Sequence, residues 1–557
     1  MRSQLSKQRY GLVWLDVPEE FEKESEDRIP ILEEVPEKEI RTDDGKPCHI
    51  LIEGENYHAL TCLNYTHRGK VDVIYIDPPY NTGSDGFKYR DKRFSTEFPN
   101  GVPVPKDSPF RHSYWLSFMA KRLELAKNLL SDRGVIFISI DDNEQANLKL
   151  LCDQVFGENN FAATFPWRKR TAKADVPFSL SQDYEWILCY ANAKFRAGVR
   201  KESRKYYQTP DLPNRPWRVH DLTKQTTAKE RPNSFFTIVN PRDGKEYPAN
   251  PQRTWAITDE TFHQYYEQNR IVFPGDYDFL KISKPVLRYF QEDDVKKAGK
   301  FFGFTTASTN FPKEVGMTQD GTKDLDELFD EKVFSFPKPT SLLSWLIQLA
   351  TPLGDDVCIL DFFAGSGTTL HAVMKLNEED GGNRQCILVQ LDENGICENV
   401  TYERNRRVMQ GYENPKGEQV PGLGNSLKYY RTAFVGKNPP ARALDADRIE
   451  LACKAGYLLA MGENTLFEQT RTKTFQIFAD SAEKKRVTAI YFEMDIEGLD
   501  EFERQVKEYA RTAEKVSAYL FSWSNGEEFE SMFEEMPNIE VKSIPQPILE
   551  IYRTIQK

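Results

Sequence analysis

No stretch of this sequence is apolar for long enough to cross a bilayer. Its first residues, MRSQLSKQRYGLVWLD, hold no continuous apolar run of the kind that directs secretion, so no membrane association is expected. The eight cysteines are scattered from Cys48 to Cys453 without a CxxC pair, and the seven histidines do not cluster. That pattern suits a reducing cytoplasm and argues against a disulfide framework or a metal centre. Internal repeats and long low-complexity tracts are also missing. Positive charge is outnumbered, with 74 Lys and Arg against 86 Asp and Glu and a formal net charge of −12. Taken alone, this counts against a nucleic-acid partner, although local distribution matters more than the total.

What is present is ample material for buried cores. The 557 residues are 39% hydrophobic and 29% charged, enough for about two to four domains. Residues 1–45 are acidic and Glu-rich (PEEFEKESED, LEEVPEKE) and read as a solvated arm. Apolar strands then alternate with helices. HILIEG, VDVIYI, GVIFISI and YEWILCY are strand-like, and FMAKRLELAKNLL has helical spacing. The alternation lapses from about Arg168 to Lys332. It resumes with the helix TSLLSWLIQLA and the strands VCILDFF and CILVQL. One parallel α/β sheet interrupted by an insertion is the simplest reading. The boundaries are 46–167 and 333–430 for the two halves of the sheet domain, and 168–332 for the insertion. The strand at 184–190 is assignable to either. Residues 431–557 form a further α+β unit, with strands in TFQIFA, RVTAIYFEM and SAYLFSW around a charged helix.

Asp77-Pro78-Pro79-Tyr80 follows directly on the strand VDVIYI, at a carboxyl end of the sheet, where open α/β folds bind ligands. The plain reading is a Pro-Pro turn. The chemical reading is more specific. An amine on an aromatic base is a poor nucleophile because its lone pair is delocalised into the ring. Acceptors placed for its two N–H groups favour a tetrahedral nitrogen with the lone pair exposed. The Asp77 carboxylate and the Pro78 carbonyl can supply them. Pro78 and Pro79 fix the backbone in advance, and Tyr80 offers a ring for an extruded base.

A second loop, Asp361-Phe362-Phe363-Ala364-Gly365-Ser366-Gly367-Thr368-Thr369, follows the strand VCIL and opens a helix. Gly365 and Gly367 permit a tight turn and close approach to a ligand. The loop lacks the lysine of a phosphate-binding P-loop and the third glycine of the dinucleotide fingerprint. Asp361, Phe363 and Thr368 complete the candidate ligand set. Beyond the next strand a residue is expected to bond a ribose, and Gln390 and Asp392 both stand there.

DPPY together with DFFAGSGTT resembles the amino-methyltransferases of DNA. The order, catalytic motif first and cofactor motif second with an insertion between, is similar to the beta group of that family. HILIEGENYHAL resembles the stretch before its catalytic strand, with Glu55 where Asp is usual. DPPYNTG with FKYRD, FPKPTSLLSWLI, CILVQLDENG and the N-terminal QRYGLVW are similar to the modification subunits of type III restriction systems. The resemblance covers most of the chain to about Tyr430 and more weakly the rest. It implies a Rossmann-like methyltransferase sheet that binds S-adenosylmethionine (SAM) through Phe363, Gly365 and Gly367. Lys338, in Pro337-Lys338-Pro339, falls where such enzymes carry a Lys-Pro segment beside the cofactor. Gln390 occupies a position where many relatives have Glu. Asp rather than Ser at the head of the tetrapeptide points to adenine N6 over cytosine N4. The insertion corresponds to a target-recognition domain, and residues 431–557 to an assembly region. A bacterial or archaeal homodimer able to join a helicase–nuclease subunit is implied, with a stand-alone methyltransferase and an inactive DNA-binding subunit as alternatives.

The insertion also contains the one basic stretch. From Arg168 to Arg231 there are 15 Lys and Arg against 7 Asp and Glu, with Trp167, Tyr206, Tyr207 and Trp217 interleaved. Arg168, Lys169, Arg170, Arg204, Lys205 and Arg215 are the candidate contacts to double-stranded DNA. An adenine inside a duplex is out of reach, so the target base has to be flipped out.

Overall fold

The computed structural model describes residues 12–19, 28–42, 44–83, 90–98, 101–171, 180–200, 205–352, 356–481, 483–494, 497–523 and 527–555. Its main element is a nine-stranded sheet. The strands are β1 (Ile29–Glu34), β2 (Cys48–Glu53), β3 (Val71–Ile76), β4 (Leu130–Ile140), β5 (Phe161–Arg168), β6 (Tyr184–Ala191), β7 (Val357–Asp361), β8 (Arg384–Gln390) and β9 (Ser426–Val435). They lie in the order β1-β9-β2-β8-β7-β3-β4-β6-β5. The six from β9 to β4 run parallel, and β1, β6 and β5 are antiparallel additions at the two edges. Parallel strands are covered on both faces, which is why β3, β4 and β8 read as nearly unbroken apolar runs. The helices that position the site are α1 (Asn56–Thr66), α2 (Ser113–Leu129), α3 (Thr340–Ala350) and α4 (Thr368–Asp380). The chain leaves β7 through α4 to reach β8 on one side, and leaves β3 through α2 to reach β4 on the other. The carboxyl ends of β7 and β3 therefore flank the switch point at which such sheets bind ligands.

The strand at 184–190 belongs to this sheet, as β6. Residues 1–197 and 307–557 form one compact unit and residues 198–306 another. The expected insertion of 168–332 is thus wider than the smaller unit at both ends, because β6 pairs into the sheet and 307–332 returns to the main unit. The smaller unit has a four-stranded sheet of Ile271–Val272, Val286–Phe290, Leu212–Asp221 and Tyr207–Thr209, in that order. Trp217, Val272, Val286 and Phe290 form one of its small cores.

Two further expectations need correction. Residues 1–45 are not simply a solvated arm, since Ile29, Ile31 and Leu32 are buried in β1, paired along β9 from Ile29↔Val435 to Glu34↔Tyr430. Nor does the sheet end at Tyr430, because β9 continues to Val435. The C-terminal residues do build their own five-stranded sheet, of Phe467–Arg471, Phe475–Ala479, Arg486–Tyr491, Lys515–Phe521 and Ile539–Ile544 in sequence order. They are not a detached module, however. Leu458, Leu459, Ile548, Leu549 and Tyr552 share one apolar cluster with Leu60 and Leu63 of α1. At about 25 cal/mol per Å² of apolar area, such shared burial ties the two regions into one folding unit.

Candidate active site

Asp77 stands immediately past β3 and Asp361 is the last residue of β7, so adjacent strand ends set both loops on one cleft. The cleft holds about 970 Å³ of empty space, its open mouth included. Asp77, Pro79, Lys338, Asp361, Phe363, Gly365, Thr368 and Gln390 line it. Of the expected residues, Pro78, Tyr80, Gly367 and Asp392 do not.

The tetrapeptide is held from several directions. Asp91, itself buried, accepts from the Tyr80 and Asn81 amides and from the Thr82 hydroxyl. Asn81 adopts φ 57°, a left-handed conformation that Asn tolerates better than most residues. Its side-chain amide donates to Glu144 Oε1 at 2.6 Å, an atom that also meets His112 Nδ1 at 2.6 Å. That hydrogen bond raises the His112 pKa above its usual value. Trp115 Nε1, at the start of the buried side of α2, donates to the Pro79 carbonyl at 2.7 Å. The loop is thereby fixed before any ligand arrives, which is the condition for electrostatic preorganisation.

Lys338 is placed differently from expectation. It lines the cleft, but its ammonium lies 2.9 Å from each carboxylate oxygen of Asp77, 2.9 Å from the Tyr80 hydroxyl and 3.2 Å from Glu185 Oε2. The Trp167 and Tyr80 rings flank it at 5.5 and 5.2 Å. Burial opposes its charge, yet Asp77 and Glu185 outweigh burial and leave the pKa above the usual lysine value. Tyr80 donates its hydroxyl to Asp77 Oδ1 at 2.7 Å and to Glu185 Oε2 at 3.2 Å. Burial first, then Asp77, pushes that phenol well above its usual pKa. Glu185 also accepts from Lys169 Nζ at 3.4 Å. Glu185, Trp115, Asn81 and Asp91 were not singled out by sequence reasoning. A lone carboxylate in the otherwise apolar run YEWILCYA was the one available signal for Glu185.

The glycine loop has the geometry of a ligand cradle. Gly367 takes φ +75° as the N-cap of α4, and a Cβ there would lie 2.4 Å from Asn405 Nδ2. Asp361 is buried, accepts from the Phe363 amide at 3.0 Å and the Thr369 hydroxyl at 2.5 Å, and is raised to about 7 by burial. Gln390 points back to the loop, with Oε1 accepting from the Gly365 amide at 2.7 Å. Asp392 instead accepts from the Glu398 amide at 3.1 Å, away from the cleft, so Gln390 is the better placed of the two ribose candidates.

The basic candidates do not form one set. Arg168, Lys169 and Arg170 are in the main unit, while Lys205 and Arg215 are in the smaller one. Arg204 lies outside the described residues. Arg168 and Lys205 are exposed. Lys169 is turned to Glu185, and Arg170 donates to the Gln182 carbonyl. Arg215 pairs with Glu292 at 2.5 Å. Within the smaller unit Arg218 pairs with Asp294 and Arg270 with Asp293. The acidic run Glu292-Asp293-Asp294 thus offsets part of the positive charge counted in sequence.

Residues 71–408, more than half of the chain, match the family model described as DNA methylase, of the N6 and N4 type. The chain belongs to that DNA methylase family. It is 36% identical over 381 residues to the type III restriction-modification enzyme StyLTI Mod subunit of Salmonella typhimurium, covering 64% of this chain and 55% of that one. Over 440 residues it is 31% identical to the EcoPI Mod subunit of Escherichia phage P1, covering 70% and 65%. The chain therefore spans less than two thirds of the length of these two relatives. Among solved structures, the M1.HpyAVI–SAM complex matches at 13% identity and TM-score 0.29, covering 64% of this chain and 98% of that one.

Proposed function

We propose that this chain is a site-specific DNA methyltransferase that transfers a methyl group from SAM to adenine N6. The observation that carries the reading is the meeting of the DPPY and FAGSGTT loops on one cleft, with Asp77 on its wall. The residues present fit the cofactor: Phe363 offers a ring, Gly365 and Thr368 a close backbone approach, and Gln390 a side-chain amide near the loop. Asp77 and Asp361 place carboxylate oxygens on the walls of a cleft that has to accept a cation. SAM, when bound, supplies an electrophilic methyl on a sulfonium. The chain's own task is at the amine. Asp77 accepts from one N–H and the Pro78 carbonyl from the other, so the nitrogen lone pair is freed from the ring. Trp115 and Asp91 keep that loop from shifting. Tyr80 has to release Asp77 before its ring is free to stack on a flipped base.

Asp at the head of the tetrapeptide favours adenine N6 over cytosine N4. The smaller unit, 198–306, is the proposed target-recognition domain. Similarity to Mod subunits supports a role as the modification subunit of a type III system. A homodimer in the bacterial cytoplasm, joined by a helicase–nuclease partner, is part of the same proposal and rests on the sequence resemblance alone. The test is methyl transfer from labelled SAM to duplex DNA, RNA and protein. Sequencing for N6-methyladenine and N4-methylcytosine in DNA from expressing cells then identifies base and site. Label on RNA or protein alone, or on cytosine, sinks the adenine reading.

A further inference from the structure

Glu185 is the second residue of β6 and one of few buried carboxylates in the sheet, 9% exposed. It does not line the cleft. It touches the cleft through Lys338, whose ammonium it meets at 3.2 Å while that ammonium also holds both oxygens of Asp77 at 2.9 Å. Two carboxylates thus share one buried cation. Its other oxygen faces Lys169 at 3.4 Å, a lysine with 18% of its side chain exposed.

The arrangement has an electrostatic consequence for the reaction proposed above, on which this inference rests. That reaction starts from a cationic sulfonium and develops positive charge on the attacking nitrogen. An ammonium in contact with Asp77 opposes both, because like charges close together in a partly desolvated site repel strongly. Asp77, Lys338 and Lys169 alone would carry one net positive charge. With Glu185 between the two lysines the four sum to zero.

We propose that Glu185 is a positioning and charge-balancing residue: it fixes Lys338 and offsets its charge, so that the cluster beside Asp77 carries no net positive charge and does not disfavour the cationic cofactor relative to its neutral thioether product. Methyl transfer passes the charge of the sulfonium to the amine nitrogen, which then loses a proton to Asp77 or to solvent, so the thioether left behind is neutral.

Calorimetric binding of S-adenosylmethionine and of neutral S-adenosylhomocysteine to the full chain at pH 8 tests this without turnover. Glu185→Gln is expected to lower the ratio of SAM to S-adenosylhomocysteine affinity about tenfold, equivalent to about 1.4 kcal/mol. Glu185→Asp should keep the ratio near the wild-type value. Lys169→Gln, at a part-exposed position, should move the ratio the opposite way, because it strips Glu185 of its second cation. A ratio unmoved in Glu185→Gln, or equal losses for both ligands, overturns the proposal. Should Glu185→Gln fail to fold, a Lys169→Gln ratio that falls or stays constant overturns it as well. If the wild-type chain binds neither ligand, the methyl-transfer reading fails first and this inference with it.

Discussion

Lys338 and Asp77 are 261 residues apart along the chain, yet the Lys338 ammonium sits 2.9 Å from both Asp77 carboxylate oxygens. The pair closes the two sequence halves of the sheet domain around one cleft. With only 8% of the Lys338 side chain exposed, its removal leaves Asp77 and Glu185 facing each other without the shared cation. Lys338→Ala should therefore destabilise the main unit by about 3 kcal/mol, toward the low end for a broken buried pair because Asp77 is partly solvated. The denaturation midpoint in urea checks this. Replacing Asp77 as well, in Asp77→Asn with Lys338→Met, should recover part of the loss. Asp77→Ala alone should abolish methyl transfer while SAM binding is weakened but not lost; near wild-type turnover would sink the acceptor role.

Asp361 makes stability depend on pH. Burial raises its carboxyl to about 7 in the folded chain, against 3.8 for an ordinary Asp. Below about pH 4 it is protonated in both states and its contribution is fully present. Between pH 4 and 7 only the unfolded chain ionises, so stability should fall by up to about 1.4 kcal/mol per pH unit. Above pH 7 the loss levels off. Asp361→Asn should flatten this part of the profile, measured as melting temperature against pH. A cation bound in the cleft favours the carboxylate, so SAM binding at pH 6 should release a proton. Calorimetry in two buffers of different ionisation enthalpy detects it, and an identical heat in both would refute the coupling.

Gly367→Ala tests the cradle. The φ of +75° and the 2.4 Å approach to Asn405 leave no room for a Cβ, so a cost of about 1–3 kcal/mol is expected. Weaker SAM binding should accompany it. The comparison variant Gly381→Ala has φ +69° but nothing within 4 Å of its Cβ, and should spare the cofactor site.

Sequence choice should travel with residues 198–306. A chimera carrying that segment from a relative, with β5 and β6 left in place, should methylate the relative's site. Moving the whole of 168–332 should instead damage the sheet, since it removes β6 and with it Glu185. Methylation at the original site by a folded 198–306 chimera would place recognition elsewhere.

Truncation near Arg442 should fail as a test of assembly. It removes Leu458, Leu459 and the terminal helix Gln546–Ile555 from the cluster shared with α1, and exposes Leu60 and Leu63. Aggregation of the shortened chain is the expected outcome, read by light scattering. A stable, soluble product would show that the C-terminal residues do fold as a separate module.

Most of the central sheet was legible because parallel strands buried on both faces leave long apolar runs, as in VDVIYI and CILVQL. The two loops were legible because they combine residues that few other turns need. Edge strands were harder: IPILEE ends in two carboxylates, Glu33 exposed and Glu34 buried against Lys428, and SLKYYRTAFV hides its register behind that same Lys428, which also meets Glu39. The role of Glu185 had no local signal beyond its lone charge in an apolar run, because its partners, Lys338, Tyr80 and Lys169, are brought to it only by the tertiary fold. YEWILCY was legible as a strand, but whether it belonged to the sheet or to the insertion was settled only by its pairing with β4.

The pairing of Ile29 with Val435 also dictates a timetable for the growing chain. At about 5–20 residues per second of synthesis, the segment that receives the first strand emerges about 20–80 seconds after that strand does. Until then IPILEE carries an apolar, unpaired edge, a site for illicit pairing with other chains. The proline at its second position and the two glutamates at its end are the kind of residues that blunt such an edge while it waits.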